Sequence, residues 1–177
     1  MRILLIISSI SVLCLSVSCK SLKPHDFENN KPLLTAENFF VGHTKSAGVV
    51  ETHGGRPSAK ITTETFGTLK NGVVYIEQDL ITEGKKKKHR SWKMQQTDAH
   101  HIEATASDIA GKARGKVYGN YFTWTFTLKL SPHNPIMRLR MSQTMYLQPD
   151  GQTLIIRSVL RKFGIIVAQI TEEFRKA

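Results

Sequence analysis

Cysteine is scarce in this chain: Cys14 and Cys19 are the only two, and both fall within the first nineteen residues. A secreted domain stapled by disulfides needs paired thiols in its folded part, so no disulfide framework holds the remainder together. Acidic residues are also few, 14 Asp and Glu against 25 Lys and Arg, a formal net charge of +11. Apolar runs long enough to cross a bilayer are missing. The longest, Ile3 to Val17, has 15 residues, short of the roughly 20 that a membrane-spanning helix needs. Also lacking are a Gly-x-Ser-x-Gly elbow, a phosphate loop, a dinucleotide fingerprint and a His-Glu-x-x-His pair. The chain is therefore read as no enzyme, with no cofactor and no metal.

What stands at the N-terminus is Met1-Arg2, then the uncharged apolar run, then Ser18-Cys19-Lys20, the outline of a secretion signal. The segment Leu15-Ser16-Val17-Ser18-Cys19 resembles the bacterial lipobox, with Ser16 where an aliphatic residue is commoner. The resemblance implies cleavage after Ser18 and lipid attachment to Cys19; the other reading is a plain secretory signal followed by a free thiol. One acyl chain holds a protein to a membrane only marginally, whereas several hold it durably. Lys20 after the lipidated cysteine resembles the outer-membrane sorting pattern, so the expected place is the periplasmic face of that membrane.

The expected domains are a signal peptide over 1–18, a membrane tether over 19–34 and a folded domain over 35–177. Removing the first 18 residues from 177 leaves 159, and loss of Arg2 lowers the charge to +10. One domain of that size buries roughly 68–70% of its unfolded surface, sufficient without staples. In a periplasm the counter-charges for a basic protein are anionic lipid head groups, not nucleic acid. A solvated basic surface is the plainer alternative. A monomer is the default expectation.

From Ala47 onward, short alternating segments are punctuated by Asn71-Gly72, Gly119-Asn120, Asp150-Gly151 and Lys162-Phe163-Gly164, the pattern of an all-β chain. Only Thr35 to Phe40 suggests a helical turn, with Thr35 as its cap. Because a tight turn fixes which residues face each other, Asn71-Gly72 sets Leu69 against Val74, Thr65 against Gln78 and Thr63 against Leu80. The turn at Gly119-Asn120 sets Val117, Gly115, Ala113 and Gly111 against Phe122, Trp124, Phe126 and Leu128, small against large. Asp150-Gly151 sets Met145 against Ile156, Gln143 against Ser158 and Met141 against Leu160. The three-residue turn at Lys162 to Gly164 sets Leu160 against Ile166 and Ile156 against Ile170. Polar residues thus recur on an apolar face, and a buried unpaired polar group costs roughly 1–3 kcal/mol. The pattern predicts a single antiparallel up-and-down barrel of about eight to ten strands with a partly wet interior.

With the hairpins placed, the chain resembles a family of Gram-negative lipoproteins with a lipocalin-like barrel, family 3833 of the domains of unknown function. The matching stretches are Phe39-Phe40-Val41-Gly42, Ala47-Gly48, Arg90-Ser91-Trp92, Ala104-Thr105-Ala106-Ser107-Asp108, Gly111 with Ala113 and Gly115, Trp124, Tyr146 to Gly151 and Lys162-Phe163-Gly164. The resemblance implies the fold and the location, and brings no catalytic residues with it.

Thr63, Thr65, Gln78, Trp92, Trp124, Phe126, Met137, Met141, Gln143, Met145 and Ser158 are the candidate lining of a cavity, because barrels of eight or more strands can enclose a small ligand and methionine adapts to varied guests. The plain alternative is core filling. Lys85, Lys86, Lys87 and Lys88, with Lys112, Arg114 and Lys116, are candidate contacts for anionic lipid head groups, or simply solvated cations. His89, His100 and His101 do not converge, since adjacent strand residues point to opposite faces. Glu103 and Glu172 are the carboxylates expected to face inward. The leading expectation is a membrane-tethered barrel that holds or transfers a small hydrophobic ligand; the rival is an envelope structural or assembly factor docking on anionic lipid or a partner protein through its basic outer face.

Overall fold

The computed structural model describes residues 22–131, 134 and 136–177. Cys19 and the stretch 1–18 expected to be a signal lie outside the described residues. Ten strands follow one another: β1 (Gly42–Thr52), β2 (Arg56–Lys70), β3 (Val73–Thr82), β4 (Lys88–Gln96), β5 (His101–Ala106), β6 (Ile109–Tyr118), β7 (Tyr121–Lys129), β8 (Arg138–Leu147), β9 (Thr153–Lys162) and β10 (Ile165–Lys176). Each pairs antiparallel with the next, and β1 pairs with β10, closing a barrel with no free edge. The all-β, up-and-down expectation is met at ten strands.

One end of the barrel is plugged. Thr35 accepts a hydrogen bond from the Asn38 amide and caps α1 (Ala36–Phe40), which inserts Phe39 under the barrel rim with Leu34 and Ala36 beside it, all buried. Gly67 on β2 makes room for this plug: any Cβ there would overlap the Phe40 carbonyl oxygen. Residues 22–34, the stretch assigned to the tether, run along the same end. A 3-10 turn (Pro24–Phe27) stacks Phe27 on Tyr121 at 4.4 Å, and the Leu34 amide donates to the Gly119 carbonyl at 2.8 Å.

The other end carries the β1–β2, β3–β4, β5–β6, β7–β8 and β9–β10 connections and has no such plug among the described residues. Two expected registers need correction there. Leu128 faces Ile109 rather than Gly111, because a bulge at Gly111 to Ala113 sets three residues against one. Phe163 and Gly164 form a two-residue turn with φ of 50° and 84°, and a bulge after Ile166 sets Ile170 against Ser158 and Glu172 against Ile156. The registers set by Asn71-Gly72 and Asp150-Gly151 are as expected.

Candidate functional site

Alternate residues of every strand point into the barrel, and they do not fill it. A cavity of about 80 Å³ remains between Phe40 at the plugged end and Ile61, Leu80 and Arg90 toward the other. Of the residues expected to line it, Thr65, Gln78, Trp92, Trp124, Met141, Gln143 and Met145 do so. Phe126, Thr63 and Ser158 are buried in the surrounding shell instead. Met137 is a correction: it precedes β8 and is exposed at the unplugged end, away from the cavity.

The polar groups of the interior are paired in an ordered way. Trp92 and Trp124 stack over each other, and their indole N–H groups donate to Gln78 and Gln143 at 3.0 and 2.6 Å. Gln143 passes a further bond to Ser158 at 2.7 Å, so the pair expected from the hairpin register is a hydrogen bond. Thr65 bonds Thr44 at 2.6 Å.

Two charged residues line the cavity. Arg90, only 7% exposed, donates twice to Asp108 Oδ2, at 3.0 and 2.8 Å, and its guanidinium lies 5.2 Å from the Trp92 ring centroid. Burial works to raise the Asp108 carboxyl, but Arg90 and Lys88 together hold it below the ordinary aspartate range. Asp108 Oδ1 is buried without a hydrogen-bond partner among the described residues. Glu172 is buried to the same degree as Arg90, 6% exposed. Its Oε1 accepts from Ser46 at 2.8 Å and Thr63 at 2.7 Å, and burial pushes its pKa up against those two bonds.

Glu172 thus faces inward as expected, whereas Glu103 does not. Ile102, Ala104 and Ala106 take the inner face of β5, so Glu103 points outward and pairs with Lys112 and Arg114 at 2.7 and 3.1 Å. Arg90 is the interior residue that function-directed reading of the sequence passed over. Its signal was period-two alternation, Arg90, Trp92, Met94, on a short strand.

The basic residues are partly spoken for. Lys87 pairs with Asp79, Lys88 with Asp108, and Lys112 and Arg114 with Glu103, while Lys85, Lys86 and Lys116 form no ion pair among the described residues. His89 sits between Glu77 and Asp79, which raise its pKa, Asp79 most. Among the described residues no three His, Cys, Asp or Glu side chains converge as metal ligands.

Unplugged does not mean bare. Leu130, Ile136 and Met137 of the β7–β8 connection, Phe163 of the β9–β10 turn and Ile165 at the start of β10 are exposed there, Phe163 by 84%. The pairing of Arg140 with Arg161 sets the two hairpins side by side.

Solved structures share this barrel. An S-type phycobiliprotein lyase from Guillardia theta superposes with a TM-score of 0.60 at 7% identity, covering 81% of this chain and 93% of that one. A protein of unknown function from the DUF3598 family of Nostoc punctiforme superposes with a TM-score of 0.59 at 11% identity, covering 83% of this chain and 51% of that one. No curated protein matches the chain. The lyase overturns the expectation that this chain is no enzyme: a barrel of this fold bears an enzyme's name. The motifs whose absence grounded that expectation belong to other folds, so their absence excludes only those chemistries. The family model described as "Protein of unknown function (DUF3833)" matches residues 13–176, nearly the whole sequence, and the chain belongs to that family.

Proposed function

We propose that this protein is a binding module, anchored through lipidated Cys19 at the periplasmic face of the outer membrane, whose barrel holds or transfers a small hydrophobic guest. The observation that carries the reading is the internal cavity, walled by Ile76, Trp92, Met94, Trp124, Met141 and Met145. At about 80 Å³ it is roughly half the ~150 Å³ of an apolar cavity that takes up benzene. A guest of a few heavy atoms, or the end of a longer chain, fits without rearrangement. Anything bulkier requires Met94, Met141 and Met145 to change rotamer, which unbranched thioether side chains do readily. Solvent extraction of the purified protein followed by mass spectrometry tests this. A stoichiometric small molecule recovered from the wild type and lost in Met141→Trp supports the reading; an empty wild-type interior rejects it.

A second reading, docking on anionic lipid, is favoured by the unplugged end. There the exposed Leu130, Ile136, Met137, Phe163 and Ile165 are flanked by Lys129, Arg138, Arg140, Arg161 and Lys162. Apolar tips among cations suit a bilayer surface, where each cation contributes about 1 kcal/mol within a Debye length. Sedimentation with phosphatidylglycerol vesicles should weaken with added salt, with Phe163→Glu and with Lys85 to Lys88 changed to Glu. Binding indifferent to all three rejects it.

A further inference from the structure

Glu172 is the one acidic residue lining the cavity among the described residues, and its hydrogen bonding is lopsided. Ser46 and Thr63 both donate their hydroxyls to Oε1, and the Ser46 hydroxyl is oriented for this by accepting the Thr63 amide at 3.0 Å. Oε2 has no hydrogen-bond partner among the described residues, yet Glu172 lines the cavity and is more than nine-tenths buried. The only other charged residue on the cavity wall is Arg90, and it is committed to Asp108. A carboxylate without a counter-charge in such surroundings is disfavoured, and burial pushes its pKa up, which favours the neutral form. In that form, with Oε1 a double acceptor, the proton resides on Oε2 and the O–H is left to the cavity.

We propose that Glu172 donates a hydrogen bond to the guest, and that the guest is an uncharged molecule bearing a carbonyl-type oxygen on a short apolar body. An anionic group is disfavoured at this end, because the hydroxyls of Ser46 and Thr63 are already committed to Glu172 Oε1 and no cation faces Glu172. A purely hydrocarbon guest would leave the Oε2 hydroxyl buried and unpaired, which a site of this kind selects against. This inference rests on the reading of the barrel as a container, and deepens it by naming the guest's chemistry.

Trp92 and Trp124 are the only two tryptophans in the chain and both line the cavity, so intrinsic fluorescence reports occupancy directly. The experiment titrates the full chain bearing Cys19→Ser, which removes any attached lipid, with 2-hexanone, n-hexane and hexylamine. It is repeated in Glu172→Leu and Glu172→Gln. The expected result is that the ratio of ketone to alkane affinity falls about five- to tenfold in Glu172→Leu, as for loss of one hydrogen bond, and stays within about threefold in Glu172→Gln, which retains a donor. An unchanged ratio in Glu172→Leu overturns the proposal while leaving the container reading standing. Failure of all three probes to bind the wild type overturns both. Preference for hexylamine, lost in Glu172→Gln, overturns the proposal in favour of an ionised Glu172. The carbonyl stretch of bound 2-hexanone gives a readout that needs no variant: a shift to lower frequency than in an apolar solvent is expected, and an unshifted band overturns the proposal.

Discussion

Trp92 on β4 and Trp124 on β7 stack across the barrel interior with ring centroids 5.0 Å apart, although two strands separate them around the wall. The contact ties β4 to β7 through the interior, past the two strands that lie between them along the wall. Each indole N–H is held by a glutamine from the neighbouring strand, Gln78 for Trp92 and Gln143 for Trp124. Gln143→Leu should therefore remove two bonds at once, leaving the Trp124 N–H and the Ser158 hydroxyl unpaired. A loss of about 1–3 kcal/mol in urea unfolding is expected, more than an exposed polar side chain would give.

Arg90 and Asp108 are unequal partners. Asp108 also contacts Lys88 at 2.7 Å, whereas Arg90 has no other carboxylate among the described residues. Asp108→Asn leaves a buried guanidinium uncompensated and should cost about 3 kcal/mol, whereas Arg90→Met leaves Asp108 with Lys88 and should cost less. Chemical denaturation of both variants and the double variant checks the order. Equal costs would mean that the pair's context, Lys88 included, does not set its energetics.

Glu172 carries a stability cost that depends on pH. Its folded pKa lies above the ordinary value of 4.5, chiefly through burial. Between those two values the native state binds the proton that the unfolded state has released, so stability falls as pH rises through that window and levels off above the folded pKa. Glu172→Gln removes the titration. Its melting temperature should exceed that of the wild type at pH 7, and the gap should close as pH falls below about 4, where the wild-type carboxyl is protonated in both states. Thermal melts across pH 3 to 8 give the comparison, and a gap that widens toward acid contradicts the assignment.

Gly115 is the small partner that the aromatic strand demands. A Cβ at this position would lie 2.5 Å from Phe122 Cε2 and 2.7 Å from Trp124 Cβ. Gly115→Val should destabilise by about 1–3 kcal/mol through overpacking. It should also shift tryptophan emission, because Trp124 must move. Emission unchanged alongside normal stability would show that the wall has slack the packing does not reveal.

The parts of this fold legible in the sequence are those that a symmetric turn dictates. Asn71-Gly72 and Asp150-Gly151 each centre a hairpin without a bulge, so counting outward found Thr65 opposite Gln78 and Gln143 opposite Ser158. Counting outward from a turn does not register an added residue, so it fails at Gly111 to Ala113 and after Ile166; Gly111, with φ of 69°, is a glycine cue for the first bulge, and the second has none. The same limit misplaced Glu103, whose inward or outward direction depends on the parity of β5, which no tight turn of known type pins. Met137 continues the spacing of Met141 and Met145, which suggests a place in the cavity lining, yet the strand begins at Arg138. Arg90 is legible only within the Arg-Ser-Trp stretch: a cation on an inner face contradicts the hydrophobic pattern, and its pairing with Asp108 accounts for it.

Whether the barrel interior accepts an apolar guest is read out by a crystal pressurised with xenon, since apolar cavities bind that atom. Xenon density is expected inside the barrel, in contact with Trp92, Trp124 and Met141. Density confined to the outer surface, with the interior side chains closed over the cavity, would contradict it.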